Sequence, residues 1–219
     1  MMRTWYDYGD RRTEELLTKI DKEFKRSRLT LNFDELNVMK AQSVTTKLYS
    51  RLDKMSRKYM QDVADNAYRD AQKEVEPNKR PVRLGNKWLV ALLLAYDAVT
   101  KYVYTHEVER KKARLFESLM ADRHAESRIG VIQDYKTARS AWRRQAKQYM
   151  ITVEDAAVLD GYKKVGVEKV MWIAERDSRT CDVCLKRDGL IFPVDRVPEK
   201  PHYGCRCTLK PVLKKDGGD

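Results

Sequence analysis

Residues 177–207 read DSRTCDVCLKRDGLIFPVDRVPEKPHYGCRC. All four cysteines of the chain fall inside this stretch, at Cys181, Cys184, Cys205 and Cys207, together with His202, one of only three histidines. Cys181 and Cys184 form a C-x2-C knuckle, in which two thiolates on one tight turn can point at the same ion. The second half, His202-x2-Cys205-Arg206-Cys207, follows after 17 residues, which are expected to hold a hairpin that folds it back onto the first. The pattern predicts a tetrahedral site for one Zn2+. Five candidates compete for four positions, with Cys181, Cys184 and Cys205 as the core of the set. If Arg206 and Cys207 begin a strand, Cys205 and Cys207 face the same side and an all-cysteine site results; otherwise His202 joins one of them. Four protein donors leave no position for water, so the ion is expected to be structural, letting a short segment fold without a large core.

Upstream of the knuckle, Val170, Trp172 and Ala174 alternate with Lys169, Met171 and Ile173, and Leu190 to Phe192 follow the Asp188-Gly189 turn signal. These features predict a small β-containing module over residues 151–219, which opens with a helix capped at Thr152 and stopped at Gly166. Residues 1–150 read as a helical body. A first helix is expected from about Asp10 to Arg26. A second should start at an Asn32/Glu35 capping box and carry an apolar stripe from Leu36 and Met39 through Leu52 to Ala67, ending before Pro77. A bend or linker is expected at 76–86, where two prolines and a glycine cluster. Trp88 to Val103 is apolar on nearly every face, which predicts a central helix surrounded by others or buried in an oligomer. A break is expected near Gly130, then a helix to Met150. The fold class is therefore mainly α, a long-helix body followed by an α+β zinc module.

The last helix of the body sets Lys136, Arg139, Arg143 and Lys147 one turn apart, so that their charges add on one side and could track a phosphate backbone; a solvated charged face is the other reading. A net charge of +12 over 219 residues favours a polyanionic partner such as double-stranded DNA. No run approaches the roughly 20 apolar residues a bilayer crossing needs, so no membrane partner is expected. Met1 to Asp10 lacks a signal-peptide pattern, which predicts a reducing compartment where clustered cysteines ligate metal rather than pair. His106 and His124 lie in the helical part as ordinary helix residues. There is no phosphate-cradling glycine loop and no nucleophile–base pairing, so no catalytic residue is assigned and no small-molecule substrate is expected.

Between Ile151 and Val212 the chain resembles the Mu F-like head morphogenesis family, minor capsid proteins of tailed phages. The resemblance lies in Thr152-Val-Glu154, Gly166, the strand ending at Trp172, Asp177-Ser-Arg-Thr-Cys-Asp-Val-Cys184, Asp188-Gly-Leu-Ile-Phe192 and Pro201-His-Tyr-Gly-Cys-Arg-Cys207. It implies a virion protein inside the procapsid at the portal vertex, made in the host cytoplasm, with the portal and other head proteins as partners. Its role would be in head assembly and DNA packaging or ejection. No toxin or enzymatic extension is expected after the zinc module. The other function considered is a stand-alone zinc-finger protein that binds nucleic acid.

Overall fold

The computed structural model describes residues 4–85, 87–100, 105–121 and 125–213. Among them are six α-helices: α1 (Thr4–Leu29), α2 (Val38–Val75), α3 (Trp88–Thr100), α4 (Thr105–Ala121), α5 (Ala125–Lys164) and α6 (Asp182–Arg187). Three strands, β1 (Lys169–Ile173), β2 (Ile191–Pro193) and β3 (Thr208–Val212), form one antiparallel sheet in the order β2-β1-β3. The mainly helical class with a small C-terminal sheet is as the sequence predicts. His124, the 101–104 end of the apolar run and the Lys214–Asp219 tail lie outside the described residues.

Contacts divide the chain into two compact units. One comprises residues 4–11, Met60–Leu89 and 150–213; the other comprises Arg12–Tyr59 and Val90–Tyr149. The C-terminal module thus packs with the start of α1 and the second half of α2.

In the second unit α1, α2 and α5 meet through an aromatic chain. Phe24 meets Tyr49 and Tyr135 edge to face at 6.4 Å each, and Tyr49 meets Trp142 at 5.4 Å. Leu16, Ile20, Leu48, Leu52, Leu115 and Leu119 complete its core. In the first unit α2 and α5 approach closely. Gly161 sits against the Tyr68 backbone, where a Cβ would come within 2.6 Å of the Tyr68 carbonyl oxygen, and Ala64, Ala67, Ala71 and Ala157 are buried around it.

Several sequence expectations shift. The second helix begins at Val38, capped by Asn37, whose side chain accepts the Lys40 N–H at 2.9 Å; Asn32 caps a single 3-10 turn at Phe33–Glu35 instead. Met39, expected on the buried stripe, is 81% exposed. No break occurs at Gly130 or Thr152, since α5 is one helix of 40 residues through both. Thr152 reads as a cap from local pattern alone, but Val153 and Glu154 beside it are buried, and tertiary packing carries the helix through. Among the described side chains of α3, Leu89 and Leu93 are buried whereas Val90 and Leu94 are exposed, so the helix is not enclosed on every face within the chain.

Helix α5 does end where Gly166 predicts. Gly166 has φ +80°, and the Val167 N–H reaches back to the Tyr162 carbonyl at 3.0 Å, a Schellman closure. The chain then enters β1, whose Val170 and Trp172 are buried. No hairpin lies within residues 185–201. The antiparallel pair is β1 with β2, and the Cys181–Cys184 knuckle is the connection between them. β1 takes Gly189 and Leu190 on one side through the Trp172 carbonyl and amide. That register turns Pro193 of β2 and Pro211 of β3 away from β1, where the missing N–H costs the ladder nothing.

Candidate metal centre

Three segments converge below the sheet. The loop after β1 is held by Asp177. Its Oδ1 accepts the Arg179 N–H at 2.9 Å, and its carboxylate takes both guanidinium nitrogens of Arg206 at 2.7 and 2.6 Å. The bidentate pair fixes the loop that leads into Cys181 against the segment that carries Cys205 and Cys207. The same pairing and the Arg179 amide hold the Asp177 carboxyl well below the usual carboxylate range. Cys181 then caps α6, its Sγ accepting the Cys184 N–H at 3.4 Å, so the knuckle is also a helix start. Asp188, after α6, accepts the Ala174 N–H at 2.8 Å and pairs with Arg176, closing the turn into β2.

His202, Cys205 and Cys207 come from the segment between β2 and β3. Arg206 turns out to Asp177 while Cys205 and Cys207 on either side are buried, the alternation expected as the chain straightens into β3. Cys184 lies at the centre. Its Sγ is 3.4 Å from His202 Nε2 and 3.6 Å from Cys205 Sγ. Cys181, Cys184 and His202 place their ligand atoms within 4.8 Å of one another, and so do Cys184, Cys205 and Cys207. Tetrahedral coordination with metal–sulfur bonds of about 2.3 Å and metal–nitrogen bonds of about 2.0–2.1 Å requires S···S near 3.8 Å and S···N near 3.5 Å. The two contacts of Cys184 match those separations.

His202 is oriented for this role. Its Nδ1 lies 3.0 Å from the Tyr203 carbonyl, an acceptor only, so Nδ1 carries the proton and Nε2 turns a lone pair toward Cys184. The thiols share protons unevenly. Burial, then hydrogen bonds with Cys207 and Cys181, push Cys184 up to about 12. A hydrogen bond from Cys205 holds Cys207 down to about 6, and Cys205 is raised by the same bond. Cys181 is lowered, chiefly by the Cys184 amide. Thiols this close cannot all ionise unless a cation compensates them, so the cluster could hold a metal ion by displacing protons.

All five ligand candidates read from the sequence are therefore brought together. Sequence reasoning gave no role to Asp177 and Arg206, although both stand in the stretch on which the resemblance rests. The four cations of α5 are not equivalent. Arg143 donates to Asp21 Oδ2 at 2.6 Å and to the Leu17 carbonyl at 3.1 Å, and Arg139 lies 3.8 Å from Asp21. Lys136 is exposed and Lys147 half-buried. His106 is exposed on α4 and belongs to neither ligand group. Among the described residues no helix is long and apolar enough to cross a membrane.

A helical chain ending in a sheet-backed cluster of four cysteines and a histidine is thus the class of protein that the fold defines. A model of the family described as Phage Mu protein F like protein matches residues 101–210, half of the chain, and the chain belongs to that family. That family suggests a phage head morphogenesis protein. No curated protein and no solved structure gives a significant match.

Proposed function

We propose that the chain is a minor head protein stationed at the portal vertex inside the procapsid, acting in head assembly and in DNA packaging or ejection. In this reading it has no catalytic activity, and one zinc ion holds its C-terminal module. Family membership over residues 101–210 carries the assignment to the phage head. The convergence of donors on Cys184 carries the metal. Thiolate and imidazole suit zinc, and four donors taken from Cys181, Cys184, His202, Cys205 and Cys207 fill its sphere.

When bound, the ion supplies electrostatic cross-linking of the segments that carry these residues, with no open position for substrate. The residues do the rest. Cys181 and Cys184 bring the start of α6, His202 brings the loop after β2, and Cys205 and Cys207 bring the entry to β3. The net charge of +12 suits non-specific contact with packaged DNA.

Co-sedimentation of the full chain with proheads tests the reading, alongside metal analysis of the purified protein. Association with proheads and about one zinc per chain is the expected result. A protein that binds nucleic acid yet never sediments with proheads or portal would be the stand-alone zinc-finger protein instead.

A further inference from the structure

In the second unit, α1 and α5 enclose a cleft of about 400 Å3 well apart in sequence from the cysteines. Lys22, Lys25 and Arg28 line it from α1, and Lys136 and Arg139 from α5; Asp21 is the one carboxylate among the lining residues. Asp21 is already committed, since its Oδ2 takes Arg143 at 2.6 Å and its Oδ1 lies 3.8 Å from Arg139. Lys22, Lys25, Arg28 and Lys136 have no carboxylate partner among the described residues. Elsewhere in the unit Arg57 is paired with Asp53 and Lys112 with Glu109. Four cations without a carboxylate partner thus line one concave surface, where fields from the two helices add.

We propose that this cleft binds the phosphodiester backbone of duplex DNA without reading its sequence. The proposal deepens the reading that the protein works beside packaged DNA and rests on it. Lys22, Lys25 and Arg28 stand three residues apart, about 4.5 Å of helix rise each, against about 3.4 Å of axis per phosphate on one DNA strand. The aromatic residues of the cleft, Phe24 and Tyr135, are each only 3% exposed. They offer no face on which a base could stack, so recognition is confined to charge. The α1 cations therefore replace Arg143, which α5 gives up to Asp21, as partners of Lys136.

The test is fluorescence-anisotropy titration of a labelled 30-base-pair duplex of arbitrary sequence with the full chain at several salt concentrations. Four engaged cations give a slope of log affinity against log salt of about −3 to −4. The triple variant Lys22→Gln, Lys25→Gln, Lys136→Gln should flatten it by about 2 to 3 and weaken binding at low salt at least roughly tenfold. The matched variant Lys47→Gln, Lys54→Gln, Lys58→Gln removes the same charge from exposed positions of α2 and should stay within about threefold of the parent. Both variants should keep the parent's unfolding temperature. Equal losses from the two triples, or no duplex binding by the parent, would overturn the proposal. So would cleft-dependent binding of inorganic tripolyphosphate without duplex binding, which would make this a small-anion site. Prohead co-sedimentation separates this idea from the functional reading: DNA binding through the cleft with no prohead association sinks the head assignment alone, and the converse sinks the cleft alone.

Discussion

Lys200 Nζ lies 2.9 Å from Asp155 Oδ2, in an ion pair whose side chains are only 8% and 16% exposed. Asp155 Oδ1 also accepts the Tyr6 hydroxyl at 3.0 Å, and the Lys200 ammonium stands 5.4 Å from the centre of the Tyr6 ring. One lysine, two residues before His202, therefore ties the ligand loop to α5 and to the start of α1. Burial pushes the Asp155 carboxyl up, and the Lys200 charge opposes that push.

Removing one member strands the other. Lys200→Met should destabilise the protein by about 3 kcal/mol or more, because an uncompensated buried carboxylate costs more than the pair returns. Lys200→Met with Asp155→Leu should recover most of that loss. Urea unfolding of the single and double variants checks it; a double variant no better than the single would refute the pairing as the cause.

Two glycines of α5 should respond with opposite signs. Gly161→Ala drives a methyl into the Tyr68 carbonyl at 2.6 Å and Ala71 Cβ at 2.9 Å, and overpacking of this kind costs about 1–3 kcal/mol. Gly130→Ala meets nothing within 4 Å in the interior of a helix and should stabilise by about 0.5–1 kcal/mol. Thermal unfolding of the pair measures both.

Glu154 sets a pH dependence. Its Oε1 is buried without a hydrogen-bond partner among the described residues. Burial first, then the neighbouring Asp155 charge, raise its carboxyl well above the ordinary value of 4.5. The folded protein thus holds this proton to higher pH than the unfolded chain does. The stability it contributes is complete below about pH 4.5 and falls as pH rises through the folded-state value. Glu154→Gln should be more stable than the parent at neutral pH, and the advantage should grow from pH 4.5 upward in denaturant titrations. A pH-independent difference would show that the carboxyl does not titrate there.

Because Cys184 belongs to both ligand groups, Cys184→Ser should lower bound zinc from about one per chain to near zero, whereas Val183→Ala beside it should leave zinc unchanged. Near-ultraviolet dichroism of the buried Trp172, which lies in the sheet over the cluster, should weaken in step with metal loss. Retention of zinc by Cys184→Ser would displace that sulfur from the centre.

The cluster was legible because ligand spacing is a local property: Cys181 to Cys184, His202 to Cys205 and Cys205 to Cys207 are near neighbours, and only their joining needed the fold. Gly166 was legible for the same reason, since its positive φ closes the helix with its own last turn. Thr152 and Asn32 misled. Both carry capping chemistry, but at Thr152 burial of Val153 and Glu154 overrides it, and five residues past Asn32 a second asparagine caps the long helix. The Lys200–Asp155 pair spans 45 residues, and no periodicity announces it. Arg143 looked like a free cation because Asp21, its partner, lies on a helix more than a hundred positions away.

Pro193 and Pro211 occupy the outward-facing backbone positions of the two outer strands. A strand approaching from another molecule finds a missing donor on each flank, which weakens edge-to-edge pairing through the sheet. The sheet edges thus favour association through side chains on helices and loops, which can be selective where a β-edge is indiscriminate.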